Sequence, residues 1–168
     1  MVNFRRWFKH VFMFPWAWRR AFPQVTLDAI ETAIRASEAT HGGEIRFVIE
    51  NNLPGTLVWR GMSGRERAIE MFANLRVWDT EHNSGVLVYL LLADRDIEIL
   101  ADRGIAARVD ASAWEVVAQA MEAAFKQGEF ERGALAGIQQ ISALLAAHFP
   151  PAGPNPDELA NRPVIVRR

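Results

Sequence analysis

The residues best suited to chemistry gather in one stretch, Trp78-Asp79-Thr80-Glu81-His82-Asn83-Ser84-Gly85. All of its side chains except those of Trp78 and Gly85 offer oxygen or imidazole ligands. An apolar run from Val86 to Leu92 follows, then Asp94-Arg95-Asp96, then a second run from Ile97 to Ala101. Two such runs across a polar turn read as a β-hairpin, whose outer ends lie side by side. The loop before Val86 must therefore sit close to Asp102-Arg103-Gly104. Asp79, Glu81, Asn83 and Asp102 become candidate ligands for a divalent cation, with His82 and Arg103 nearby. Hard oxygen donors on loops favour Ca²⁺ or Mg²⁺ over a softer metal. The carboxylates lack the alternate spacing of an EF-hand, and a plain polar loop where strands meet solvent is the competing reading.

Other chemistry is thinly represented. There is no cysteine, which excludes disulfides, thiol nucleophiles and thiolate metal sites. No Gly-rich phosphate loop, dinucleotide fingerprint, HExxH or G-x-S-x-G is present. The only lysines are Lys9 and Lys126, and the histidines at 10, 41, 82 and 148 do not cluster in sequence. The run from Leu90 to Asp96 resembles the start of a haloacid-dehalogenase-type phosphatase, in which an apolar strand delivers an aspartate nucleophile. A hairpin turn accounts for Asp94 and Asp96 more simply. Strand residues resume at once, and neither a long cap nor a phosphate-holding base is evident.

The elements that must position the acidic loop are legible from periodicity. Thr26 to Thr40 reads as a helix with Thr26 as N-cap, stopped by Gly42-Gly43. Glu44 to Glu50 alternates as a strand, and Asn51 to Met62 is loop-like, with Thr56 to Trp59 able to pair as a short strand. Ser63 and Glu66 have capping-box spacing, followed by an apolar stripe of Ile69, Phe72 and Leu75. Val86 to Leu92 is apolar throughout, as in a strand buried on both faces. Ser112 with Glu115 suggests a second capping box before Trp114, Val117, Ala118, Met121 and Phe125, and Gly128 occupies a C′ position. A last helix spans about 131–148, with Leu135, Ile138, Ile141 and Leu145 inward. The Pro-rich tail is mostly extended, and Val164-Ile165-Val166 is a weak candidate for an edge strand. The order α-β-α-β-β-α-α predicts an α/β fold, a mixed sheet with helices on both faces.

The formal net charge of −1 conceals an uneven distribution. Residues 1–22 carry Arg5, Arg6, Lys9, Arg19 and Arg20 with no acid, so the remainder holds 14 bases against 20 acids. Half of all Trp and Phe also lies in this arm. Phe4, Trp7, Phe8, Val11 and Phe12 recur at amphipathic-helix spacing, and Pro15 ends the pattern. The arm could fold onto its own domain, pack across a dimer, or lie on an anionic membrane surface through its aromatics and bases. Nucleic acid is disfavoured by the acidic remainder. The longest apolar run, from Gly85 to Ala93, is too short to span a bilayer, and arginines interrupt any signal-peptide core. The expected location is cytoplasmic, with the inner face of a membrane as the alternative.

Three separated segments carry a family resemblance. Asn83-Ser84-Gly85-Val86-Leu87-Val88, then Arg95 to Ile99 with Gly104, then Ala124-Phe125-Lys126-Gln127-Gly128-Glu129-Phe130 with Gly133 and Gly137-Ile138 resemble the TPM domain family over about residues 25–150. Arg76 to Asp79 and Ala101 to Ile105 look typical of a short bacterial branch without signal peptide or C-terminal membrane helix. The resemblance implies a three-layer αβα sandwich with a mixed central sheet of about four strands. Some members of the family are described as acid phosphatases, some bind divalent metal, Ca²⁺ in particular, and others act in photosystem repair or as receptor auxiliaries. Asp102 stands where the family has the first glycine of a G-x-G, and Asp110 is the nearest match to a later family aspartate. Gly133 and Gly137 suit close packing of two helices of one domain, or an oligomer contact.

These readings divide the chain into a basic aromatic arm (1–22), a TPM-like domain (23–149) and a Pro-rich tail (150–168). The expected role is a module binding Ca²⁺ or Mg²⁺, a protein partner, or both. A weak metal-assisted acid phosphatase, with Arg103 or His82 assisting, is the alternative.

Overall fold

A computed structural model describes residues 4–151, 153 and 157–166. Twelve elements follow one another: α1 (Phe4–Val11), α2 (Ala17–Ala21), α3 (Gln24–Glu38), β1 (Glu44–Glu50), α4 (Gly55–Trp59), α5 (Gly64–Asn74), β2 (Gly85–Leu91), β3 (Asp96–Ala101), α6 (Arg103–Ala106), α7 (Ala111–Lys126), α8 (Phe130–His148) and β4 (Val164–Val166). The sheet runs β3-β2-β1-β4. β1 is parallel to both β2 and β4, while β2 and β3 form the antiparallel hairpin. The sheet is therefore mixed, as expected.

Alternation along the strands creates two cores. Ile45, Phe47 and Ile49 of β1 share one face with Val86, Val88 and Leu90 of β2, under α3, α7 and α8. Val48, Leu87, Tyr89 and Leu91 face the opposite way, under α4 and α5. Both faces of β2 are fully buried, which explains its unbroken apolar sequence. This is the three-layer αβα sandwich. Gly133 and Gly137 lie against α7: a Cβ at Gly133 would come within 2.8 Å of Ala124 Cβ, and one at Gly137 would collide with Met121. The two glycines therefore serve packing inside the domain.

Several boundaries differ from the sequence reading. α3 begins at Gln24, with Pro23 at the N-cap accepting from the Thr26 and Leu27 N–H groups. Thr26 is buried within the helix, and its hydroxyl donates to Glu131 Oε2 at 2.5 Å. Thr56 to Trp59 lies in α4 instead of a strand, with Pro54 at its N-cap accepting from the Leu57 and Val58 N–H groups. The Ser63–Glu66 capping box is present. Its helix, however, buries Arg67, Ala68 and Met71 and leaves Ile69 exposed.

That rotation of α5 has an electrostatic cause. Arg67 reaches Glu50 through Nε at 2.8 Å and a terminal guanidinium nitrogen at 3.2 Å, and the Tyr89 hydroxyl donates to Glu50 Oε2 at 2.8 Å. A buried carboxylate must be neutralised and hydrogen-bonded, so Arg67 takes the inward position. At α7 the cap is Asp110, whose carboxylate accepts from the Ser112 N–H and hydroxyl. Gly128 follows the α7 C-cap with φ +82°, as its C′ assignment requires.

The tail closes the far edge of the sheet. Val164–Val166 does form a strand, β4, next to β1. Arg46 of β1 donates to the Ala160 and Arg162 carbonyls, and Glu44 Oε2 accepts from the Leu159 N–H at 3.2 Å. Three residues gain a strand's geometry here because side chains from β1 seize the backbone just ahead of them. Among the described residues no helix is long and apolar enough to cross a membrane.

Candidate functional site

The hairpin does bring the acidic loop against residues 102–104. The Asp102 N–H donates to the Gly85 carbonyl at 2.8 Å, and the Gly104 N–H donates to the Asn83 carbonyl at 3.1 Å. The β1 end joins them, since the Glu44 N–H donates to the Ser84 carbonyl at 3.0 Å. Gly104 is essential to this closeness. A Cβ there would lie 2.6 Å from both the His82 and Asn83 carbonyl oxygens.

The four candidate ligands meet different fates at this edge. Asp102 caps α6: one carboxylate oxygen accepts from the Arg103 N–H at 2.7 Å. Its other oxygen, Oδ2, is buried with no hydrogen-bond partner among the described residues. Asn83 has φ +51°, and its side-chain oxygen accepts from Arg103 Nε at 2.8 Å. Asp79 is exposed, 3.9 Å from an Arg76 guanidinium nitrogen. Glu81 is also exposed, and its N–H donates to Glu158 of the tail. Thus Asn83, Asp102 and Arg103 are brought together, while the Asp79 carboxylate lies near Arg76 and Glu81 is tied to the tail through its backbone N–H. Among the described residues no three His, Asp or Glu side chains form a metal-holding cluster.

The same end of the sheet holds buried acids that pattern reading did not single out. Glu38 Oε1 accepts from the Ile45 N–H at 3.1 Å, and Glu44 is fully buried close by. Burial pushes the Glu38 carboxyl up to about 8; the Ile45 hydrogen bond opposes this, and the charges of Glu44 and Asp157 reinforce it. His41 is held below its ordinary value by burial, partly offset by its bond from the Gly43 N–H. Glu44 opens a strand and looks solvent-facing in the sequence. The tail that covers it lies 115 residues away, so no local signal marks it.

A second missed group ties the N-terminal arm to the hairpin turn. Asp94 Oδ2 accepts from Arg6 Nε at 2.8 Å and pairs with His10 Nε2 at 3.1 Å, and Lys9 Nζ lies 3.8 Å from the other oxygen. His10 Nδ1 accepts from the Leu53 N–H at 2.9 Å, which assigns the imidazole proton to Nε2 and makes it a donor to Asp94. Burial alone would raise the Asp94 carboxyl, but the hydrogen bonds from His10 and Arg6 outweigh it and hold it at about 2. Asp94 belongs to the tight turn, where Arg95 has φ +54°, and Asp96 opens β3 opposite Leu91.

A family model for the TPM domain matches residues 20–144. The chain belongs to the TPM domain family. A second comparison agrees: BA42 from the psychrophilic bacterium Bizionia argentinensis, solved by NMR, superposes with a TM-score of 0.75 at 32% identity. The alignment covers 84% of this chain and 93% of BA42. No curated protein matches. The TPM match takes in the acidic loop, the hairpin and the junction between α7 and α8. It begins at residue 20, after α1.

Proposed function

We propose that this TPM-domain chain is a non-enzymatic binding module that takes a divalent cation, Ca²⁺ or Mg²⁺, at the loop edge made by residues 79–85 and 101–104. The observation that carries this reading is the buried Asp102 Oδ2, which has no hydrogen-bond partner among the described residues. A buried carboxylate oxygen without a donor is costly, and a hard cation would compensate it. Asn83, Asp79 and Glu81 are the further oxygen donors in the same two segments. Asp79 and Glu81, being exposed, also suit a basic protein partner. The bound ion would supply charge neutralisation at Asp102 and would draw the flanking loop together. Arg103 would hold Asn83 in place from the α6 side.

NMR titration of the full chain with CaCl₂ and MgCl₂ tests the reading. Amide shifts confined to 79–85 and 101–105, lost in Asp102→Asn, are expected; unchanged spectra would overturn it. Phosphomonoester turnover with added metal, at acid or neutral pH, is the outcome that would replace the module by a hydrolase. That replacement would require the activity to vanish in Asp79→Ala and Asp102→Ala.

A further inference from the structure

The N-terminal arm docks on the domain with its amphipathicity inverted. Arg6, His10 and Trp7 of α1 face inward. Arg6 also donates to the Met62 carbonyl at 2.7 Å, and Trp7 packs edge-on against Trp59 at 6.4 Å. The backbone is clamped as well, since the Asn52 and Asn51 side-chain amides donate to the His10 and Phe14 carbonyls. With this face committed, the phenylalanines are left outside. Phe4 is 60% exposed, Phe8 52% and Phe12 68%. They form a continuous surface, with Phe8 stacked on Phe12 at 5.5 Å and Phe4 against the exposed Trp59 at 5.8 Å. Phe14 and Trp16, stacked on each other and also exposed, follow directly in the chain.

Clustered, exposed rings are unusual on a monomeric surface and mark an interaction site. The charge around them selects the partner. Arg5 and Lys9 border the rings on α1, Arg60 follows Trp59, and Arg19 and Arg20 extend from α2; all five are exposed. The rest of the chain is acidic. A second copy would oppose basic arm to basic arm, whereas an anionic lipid surface complements it.

We infer that α1 and α2 form an interfacial anchor that lays this domain on an anionic bilayer. Phe and Trp rings sit at the headgroup level, and the flanking bases meet lipid phosphates. The Asp94 clamp makes the anchor rigid with the domain, so less ordering accompanies binding than for a free arm. The inference is independent of the cation reading at Asp102, which lies in a different part of the molecule's hydrogen-bond network.

Flotation of the full chain with vesicles tests it, using mixed phosphatidylglycerol–phosphatidylcholine against pure phosphatidylcholine. Binding to the anionic vesicles, weakened about tenfold by salt near 0.5 M, is expected, with a blue shift of Trp emission. The triple variant Phe4→Ser, Phe8→Ser, Phe12→Ser should lose binding about tenfold or more while keeping the wild-type amide spectrum outside the arm. Arg5→Glu with Arg60→Glu, which replaces no ring and leaves the Asp94 clamp intact, should lose binding to anionic vesicles as well. Absence of binding by the wild-type chain, or retention by the triple variant, would overturn the proposal. A wild-type dimer that the triple variant converts to monomer, without vesicle binding, would also overturn it and give this face to a second copy.

Discussion

His10 and Asp94, separated by 84 positions in sequence, meet at 3.1 Å and fasten the N-terminal helix to the turn of the central hairpin. The pairing is directional: the backbone N–H of Leu53 occupies His10 Nδ1, so Nε2 carries the proton towards Asp94. Arg6 completes the clamp on the same carboxylate oxygen. A single half-buried acid thereby decides which face of an eight-residue helix meets the domain.

Asp94→Asn should loosen this clamp. A carboxyl lowered on folding from its ordinary 3.8 to about 2 contributes stability that is present above pH 3.8 and lost as pH falls through about 2. The variant is expected to be less stable by about 2 kcal/mol at pH 7, with the difference vanishing near pH 2. Urea unfolding across that range checks both the size and the pH window.

Glu38 behaves in the opposite sense. Its folded value is raised from 4.5 to about 8, so its stabilising contribution is complete below 4.5 and disappears as pH rises through about 8. Glu38→Gln keeps the acceptor for the Ile45 N–H and removes the titration. Relative to wild type, the variant should gain roughly 4–5 kcal/mol between pH 4.5 and pH 9. Thermal melts at the two pH values measure it, and parallel pH curves for both proteins would contradict the assignment.

The Glu50–Arg67–Tyr89 network should show strong non-additivity. Arg67→Met leaves the Glu50 charge buried against a neutral phenol and is expected to cost about 3–5 kcal/mol. Adding Glu50→Gln removes that charge while retaining an acceptor for the Tyr89 hydroxyl. The double variant should recover more than half of the loss in chemical denaturation.

Gly104→Ala should disturb the candidate cation edge. The added methyl would press on the His82 and Asn83 carbonyls, which are backbone groups and cannot swing aside. A loss of about 3 kcal/mol is expected, with amide shifts concentrated in 82–84. A variant as stable as wild type with unmoved loop resonances would show that this contact is not restrictive.

A physical line separates the features legible in the chain from those that were not. Repeating local patterns were readable from the chain: the strand from Glu44 to Glu50, the doubly buried β2, the Ser63–Glu66 box and Gly128 at the end of α7. Each depends on neighbours within a few residues, or on burial so complete that the composition itself reports it. The adjacency of residues 79–85 to 102–104 was also readable, because a hairpin's connectivity leaves no other arrangement. Which of these side chains approach one another at that edge was not, since Arg76 draws the Asp79 carboxylate, Arg103 takes the Asn83 oxygen and the tail's Glu158 holds the Glu81 backbone N–H.

Orientation was decided by tertiary partners alone. The spacing of Phe4, Trp7, Phe8, Val11 and Phe12 announces an amphipathic helix but cannot say where its apolar face turns. Asp94 answers that by drawing Arg6 and His10 inward, which leaves the phenylalanines outside. Likewise Arg67 is inside α5 because Glu50 is buried opposite it, and Val164–Val166 is a strand because Arg46 and Glu44 hold the tail beside β1. By itself the sequence determined the three longer strands, the main helices between and after them, and the α/β class through periodic burial, whereas the short α2, α4 and α6 were not marked by it. The folded chain decided which charges are buried together, because buried charges accept only partners that distant segments deliver.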